Sequence, residues 1–157
     1  MELGLGLIIG LALVYAAANL LVGAHERLNR AKCAANLRAI GMACIMYANG
    51  QPGSEFPDSF QTLLKYENLT PEIFVCPSDQ HTTASSGLSA DSLSYVYLGN
   101  GLTETTASTK IIAYDRLGSH GKDGINVLYG DATVQWVKMA DALRLIHRRW
   151  TPATKPE

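Results

Sequence analysis

Between Tyr114 and Thr133 the chain gathers Asp115, Ser119, His120, Asp123 and Asp131, residue types that move protons and hold charge, in one loop-rich stretch. A hydrolase built here would use Ser119 as nucleophile and His120 as base, with Asp115 or Asp123 orienting the imidazole. The Gly-x-Ser-x-Gly elbow that presents such a serine is missing, and no pair of carboxylates falls on a rigid element, so the stretch supports no enzyme assignment. Aspartates beside glycines, as in Asp123-Gly124 and Gly130-Asp131, are also what tight turns use. The three cysteines, Cys33, Cys44 and Cys76, contain no Cys-x-x-Cys pair. That argues against a zinc site or a thioredoxin motif and suits one disulfide plus one free thiol in an oxidising compartment. Cys33 and Cys44 lie three turns apart on one helix face, roughly 16 Å, so Cys76 can reach only one of them.

The element that must position these groups is the N-terminal stretch of residues 1–50. From Leu3 to Ala24 it carries no charge, and as a helix that run is roughly 33 Å long, enough to cross the hydrocarbon of a bilayer. Charges begin at His25, yet nothing breaks the helical pattern before Asn49-Gly50 and Pro52, a capping signal followed by a residue that forbids continuation. Residues 1–24 therefore read as an apolar transmembrane or bundle-core helix, and residues 25–50 as its amphipathic continuation. Cys33, Leu37, Ile40, Cys44 and Tyr47, spaced four, three, four and three apart, form one apolar stripe, with Arg30, Asn36 and Arg38 placed off it. A cleavable secretory signal would need a basic start and a shorter apolar core; Glu2 and the unbroken pattern favour a retained helix.

Residues 51–150 are expected to fold as one α+β head on that stripe, leaving residues 151–157 as a loose tail. A short helix follows a cap at Asp58 or Ser59, with Phe60, Leu63 and Leu64 inward. The Ser, Thr and Gly content from Gln80 to Ser92 and from Gly101 to Thr109 reads as polar loop. Strand signals sit at residues 94–98 and 110–114 and in a hairpin, residues 125–129 and 133–137 around Gly130-Asp131-Ala132. Together they predict a small antiparallel sheet of about four strands, ahead of a C-terminal helix whose basic residues gather at its end. The net charge of −1 gives no electrostatic case for nucleic acid.

In order, the segment from Cys33 to Ala43 with Tyr47-Ala48, then Gly53, Phe56-Pro57, Val75-Cys76-Pro77-Ser78-Asp79, His120, and Gly124 to Asp131 leading into Val134-Gln135-Trp136 resemble the type IV pilins and type II secretion pseudopilins. The likeness is to the pilin-like proteins with a C-terminal His…Asp-Gly motif. It implies a subunit of a pilus-like or pseudopilus-like filament, a homo-oligomer held in the inner membrane as precursor and then carried outside the cell or in the periplasm. It places Glu2 where the family's helix glutamate pairs with a neighbouring N-terminal amine, here that of Met1. Gly4, Gly6, Gly10, Ala16 and Ala17 become close-approach positions between helices. The resemblance also implies a Cys33–Cys76 disulfide, with Cys44 left as a buried thiol, and a calcium site drawn from Asp115, Asp123 and Asp131. The chain departs from the family in its opening residues, in having Asn19 near the usual helix proline, and in having Ala132 where glycine is common. The alternative reading is a membrane-anchored monomeric periplasmic binding module, or a minor pseudopilin of a secretion system.

The uncharged run predicts that the full chain sediments with membranes and resists an alkaline carbonate wash, whereas a chain lacking residues 1–24 does not. A full chain released by carbonate would remove the apolar anchor from consideration.

Overall fold

The computed structural model describes residues 2–66, 69–79 and 92–150, with residues 2–5, 7 and 147–150 as backbone only. A single helix, α1 (Glu2–Asn49), runs the whole length expected of it. Asn19 keeps the rod continuous where a proline would interrupt it, and its side-chain amide donates to the carbonyl of Tyr15. After α1 come α2 (Phe60–Tyr66), a 3₁₀ turn (Pro71–Phe74), β1 (Tyr95–Tyr97), α3 (Glu104–Ala107), β2 (Ile111–Asp115), β3 (Gly124–Tyr129), β4 (Val134–Lys138) and α4 (Met139–Trp150). The four strands form one antiparallel meander in the order β1-β2-β3-β4. The fold is α+β.

The sheet lies between two helical layers, and this explains why β3 is buried on both faces while β4 is only half covered. Leu128, with Ile112 and Ala113, packs toward the Cys33, Leu37, Ile40 and Cys44 stripe, joined by Phe60, Leu63 and Phe74 from α2 and the 3₁₀ turn. Ile125 and Val127 point the other way and pack with Ala142 of α4. The stripe read from spacing is thus the buried seam: Cys33, Leu37, Ile40 and Cys44 are fully buried. Arg30 and Asn36 face the head instead of solvent. Residues 26 and 30 continue the same four-three spacing backwards from Cys33, and the Asn36 side-chain amide donates to the Val75 carbonyl at 3.2 Å. Arg38 is exposed as expected.

Gly41 sets how closely α1 and the hairpin approach. A Cβ there would stand 2.8 Å from Cδ1 of Leu128 and 3.1 Å from Ala132, inside normal contact. Ala132 itself adopts φ 63, the left-handed conformation that the β3–β4 turn requires and that glycine meets without strain. The segment from Gly101 to Thr109, read as loop, contains α3 and is pinned to the chain after α1. Phe56 N–H donates to Leu102 O at 2.8 Å, Glu104 N–H donates to Ser54 O at 2.9 Å, and Ala107 is fully buried. Its threonines cap α3 through a reciprocal Thr103–Thr106 box, a use of Thr that composition alone reads as loop.

Replacing Gly41 by Val should destabilise the head by about 1–3 kcal/mol through overpacking, measured by denaturant unfolding in detergent. An unchanged midpoint would show that the hairpin does not bear on α1 here.

Candidate functional site

The charged residues singled out from the sequence converge where the amphipathic half of α1 begins. Glu26 and Arg30, one turn apart on α1, face the end of β2, the β2–β3 loop and the start of β3. That loop reverses through Gly118 and Gly121, both at positive φ (96 and 64), and so returns His120 beneath the helix. His120 is 4% exposed and bridges two carboxylates. Its Nδ1 lies 2.6 Å from Glu26 Oε1 and its Nε2 3.2 Å from Asp115 Oδ2. Asp115 is fully buried at the end of β2, and its Oδ2 also accepts the backbone N–H of Asn126 at 2.6 Å. The second oxygen of Glu26 accepts the Ser78 hydroxyl at 2.8 Å.

Arg30 closes the outer side. Its guanidinium pairs with Asp123, sits 4.1 Å from the centroid of the Trp136 ring, and leaves its main-chain carbonyl to accept the Asn126 amide at 3.3 Å. Trp136 meets His120 edge-on at 5.5 Å between ring centres. Beneath the imidazole lies the Cys33–Cys76 disulfide, the pair the resemblance implied, with Cys76 Sγ 3.4 Å from His120 Nε2. Cys44 is buried and takes no part in the disulfide. One small volume therefore joins α1 to the segment just past the 3₁₀ turn by a covalent bond, and to β2, β3 and β4 by polar and ring contacts.

Burial works against a charged imidazolium at His120. The hydrogen bonds that the imidazole donates to Asp115 and Glu26 and the negative charge of both outweigh it, so the His120 pKa lies above its ordinary value. A cation held between two anions is what a buried ion network needs to avoid an uncompensated charge. The hydrolase arrangement is not assembled: the buried Ser119 hydroxyl has no hydrogen-bond partner among the described residues, and both ring nitrogens of His120 face carboxylates.

Asp115 and Asp123 belong to this cluster, but Asp131 does not. It lies past the far end of β3, in the β3–β4 turn, where Oδ1 accepts the N–H and hydroxyl of Thr133 at 2.9 and 2.7 Å. Those bonds hold its carboxyl below the usual range. The three aspartates implied for calcium thus do not converge, because β3 stands between Asp123 and Asp131 and the turn has already engaged the latter. Gly6, Gly10, Ala16 and Ala17 are exposed on α1. Met1, the Glu2 side chain and the surroundings of Gly4 lie outside the described residues. Sequence reasoning missed Glu26, Ser78, Asn126 and Trp136 as members of the site. The available signal was the backward continuation of the helical spacing through residues 30 and 26. No family model, curated protein or solved structure matches the chain.

Because the His120 pKa is raised on folding, its stabilising contribution is complete below the unfolded value of about 6.5 and is lost as pH rises through the folded value. Thermal unfolding of the native chain in detergent should therefore occur at lower temperature as pH goes from about 6 to about 8. His120→Gln should be less stable at the acid end and flatter across the range. Parallel pH profiles would exclude His120 as the responsible group.

Proposed function

We propose that the chain is a structural subunit of a type IV pilus-like or pseudopilus-like filament, a helical homo-oligomer whose core is α1 and whose shell is the head. The subunit waits in the inner membrane and ends outside the cell or in the periplasm. One observation carries this reading: an uncovered apolar rod continues without a break into a helix that its own head locks in place. The large apolar side chains described between Ile8 and Val22 range from 53% exposed at Ile9 to 74% at Tyr15. An 18-residue window of this helix, with mean hydropathy 1.8, contains no buried residue among the described residues. By length and composition this one helix is able to span a membrane or to serve as a signal sequence.

Such a rod has to bury its surface, and lipid does this for a single subunit. Exchange of lipid for neighbouring rods needs small residues at the contacts, which Gly6, Gly10, Ala16 and Ala17 supply; added Cβ atoms at Gly6 and Gly10 would meet nothing within 4 Å. Contacts of unlike surfaces repeated along an axis generate an open filament rather than a closed ring. Pairing of Glu2 with the amine of Met1 on the next subunit would neutralise the single charge in the core.

Native material extracted in mild detergent and imaged by electron microscopy should contain fibres. Leu13→Asp, which puts a charge costing about 2.5–3.5 kcal/mol at mid-membrane depth, should abolish them while the disulfide-linked head stays folded. Glu2→Ala should lower fibre yield in the same way. Dispersed small particles from the native chain would favour the anchored monomeric module instead, and normal yield from Glu2→Ala would remove the amine pairing.

A further inference from the structure

Beneath α1 the buried Cys33, Cys76 and His120 bring together three side chains of metal-ligating type, and the buried Asp115 carboxylate lies against the imidazole. The Sγ atoms of Cys33 and Cys76 and a ring nitrogen of His120 lie within 4.8 Å of one another, all three residues buried. In a zinc site with Zn–S of about 2.3 Å and Zn–N of about 2.0 Å, adjacent sulfur and nitrogen ligands are about 3.5 Å apart, and nitrogen and oxygen about 3.3 Å. Here Cys76 Sγ is 3.4 Å and Asp115 Oδ2 3.2 Å from the same nitrogen, Nε2 of His120. Asp115 Oδ1 is buried with no hydrogen-bond partner among the described residues, so the carboxylate has an oxygen to offer. Nδ1 of His120 faces Glu26 Oε1 at 2.6 Å, the carboxylate–histidine pairing that fixes the tautomer and leaves Nε2 to a metal. Ser78 donates to the other oxygen of Glu26 and so holds that second layer in place.

We propose that the chain with Cys33 and Cys76 reduced binds a thiophilic divalent cation, zinc by ligand type, through Cys33, Cys76, His120 and Asp115. Reduction by a dithiol breaks the Cys33–Cys76 bond, delivers two electrons and two protons to give two thiols, and leaves the dithiol as its own disulfide. Metal entry then releases both thiol protons, and the proton of Nε2 where it carries one, to solvent. The Cα atoms of Cys33 and Cys76 are 5.2 Å apart, so rotation about the two Cα–Cβ bonds can separate the sulfurs without moving α1. The cation then joins the same elements as the disulfide, and a newly made chain in a reducing compartment would hold its head on the stalk before oxidation. A monomer and a filament subunit offer the same ligands, so the inference does not depend on assembly.

The test uses the full chain in detergent, reduced with a phosphine that becomes its oxide by taking the oxygen of one water, and then titrated with Co2+. One equivalent should produce thiolate-to-cobalt charge transfer and the visible bands of a tetrahedral centre, and Zn2+ should displace it. The oxidised chain should give neither signal. Cys44→Ser should leave the titration unchanged, and Glu26→Gln should weaken binding by about 10–100-fold. His120→Ala should lose the tetrahedral spectrum. A reduced native chain that takes up no Co2+ overturns the proposal, as does a signal that survives Cys33→Ser or disappears in Cys44→Ser. Far-ultraviolet circular dichroism on each variant shows whether the helix and sheet persist, and Glu26→Gln tests the site without removing a ligand.

Discussion

A helix of 48 residues has to be covered along its whole apolar length, and this chain covers only part of it. Backbone hydrogen bonding is satisfied within the helix wherever it lies, in lipid, in a bundle or against a sheet, so one element serves in all three surroundings. Side-chain burial is what changes along it. Past residue 25 the head supplies that burial on one face, and before it no described residue is buried. The one-sided seam at Cys33, Leu37, Ile40 and Cys44 orients the head on the rod and leaves the rod's other end free for lipid or for neighbours.

The seam is closed by two kinds of interaction that differ in what they resist. Leu128, Ile112 and Phe74 pack in one apolar cluster with the stripe of α1, and close approach at Gly41 lets the hairpin settle onto the helix. Packing of this kind is not directional. The disulfide and the charged cluster around His120 are directional, and they sit at the edge of the seam nearest the apolar rod. There Glu26 and Asp115 hold His120 between them across the gap between α1 and β2, so sliding the helix against the sheet would break these directional contacts. The arrangement therefore favours one register of rod and head.

The same cluster shows why residue types gathered in sequence are weak guides to chemistry. Asp131 belongs by proximity to the group with Asp115 and Asp123, but the β3–β4 turn uses its carboxylate to hold Thr133. Ser119 and His120 are adjacent in the chain and make no hydrogen bond to each other among the described contacts. Glu26 completes the site from a position 94 residues away. Cysteines 43 residues apart, in no ligand-like spacing, end up against the same imidazole.

What was legible beforehand is what short-range chemistry specifies. The uncharged run and the four-three spacing foretold α1 and its buried stripe, because helical periodicity acts over a few residues. The alternation around Gly130-Asp131-Ala132 foretold the hairpin, because turn conformation and pleat are equally local. The facing of Arg30 and Asn36 toward the head, the short helix α3 in a threonine-rich stretch, and the meeting of Glu26 with His120 depended instead on which distant segments pack together. Chain closure over such distances is chosen by the burial of the whole core, so the partner of a buried charge becomes known only when the layers are in place.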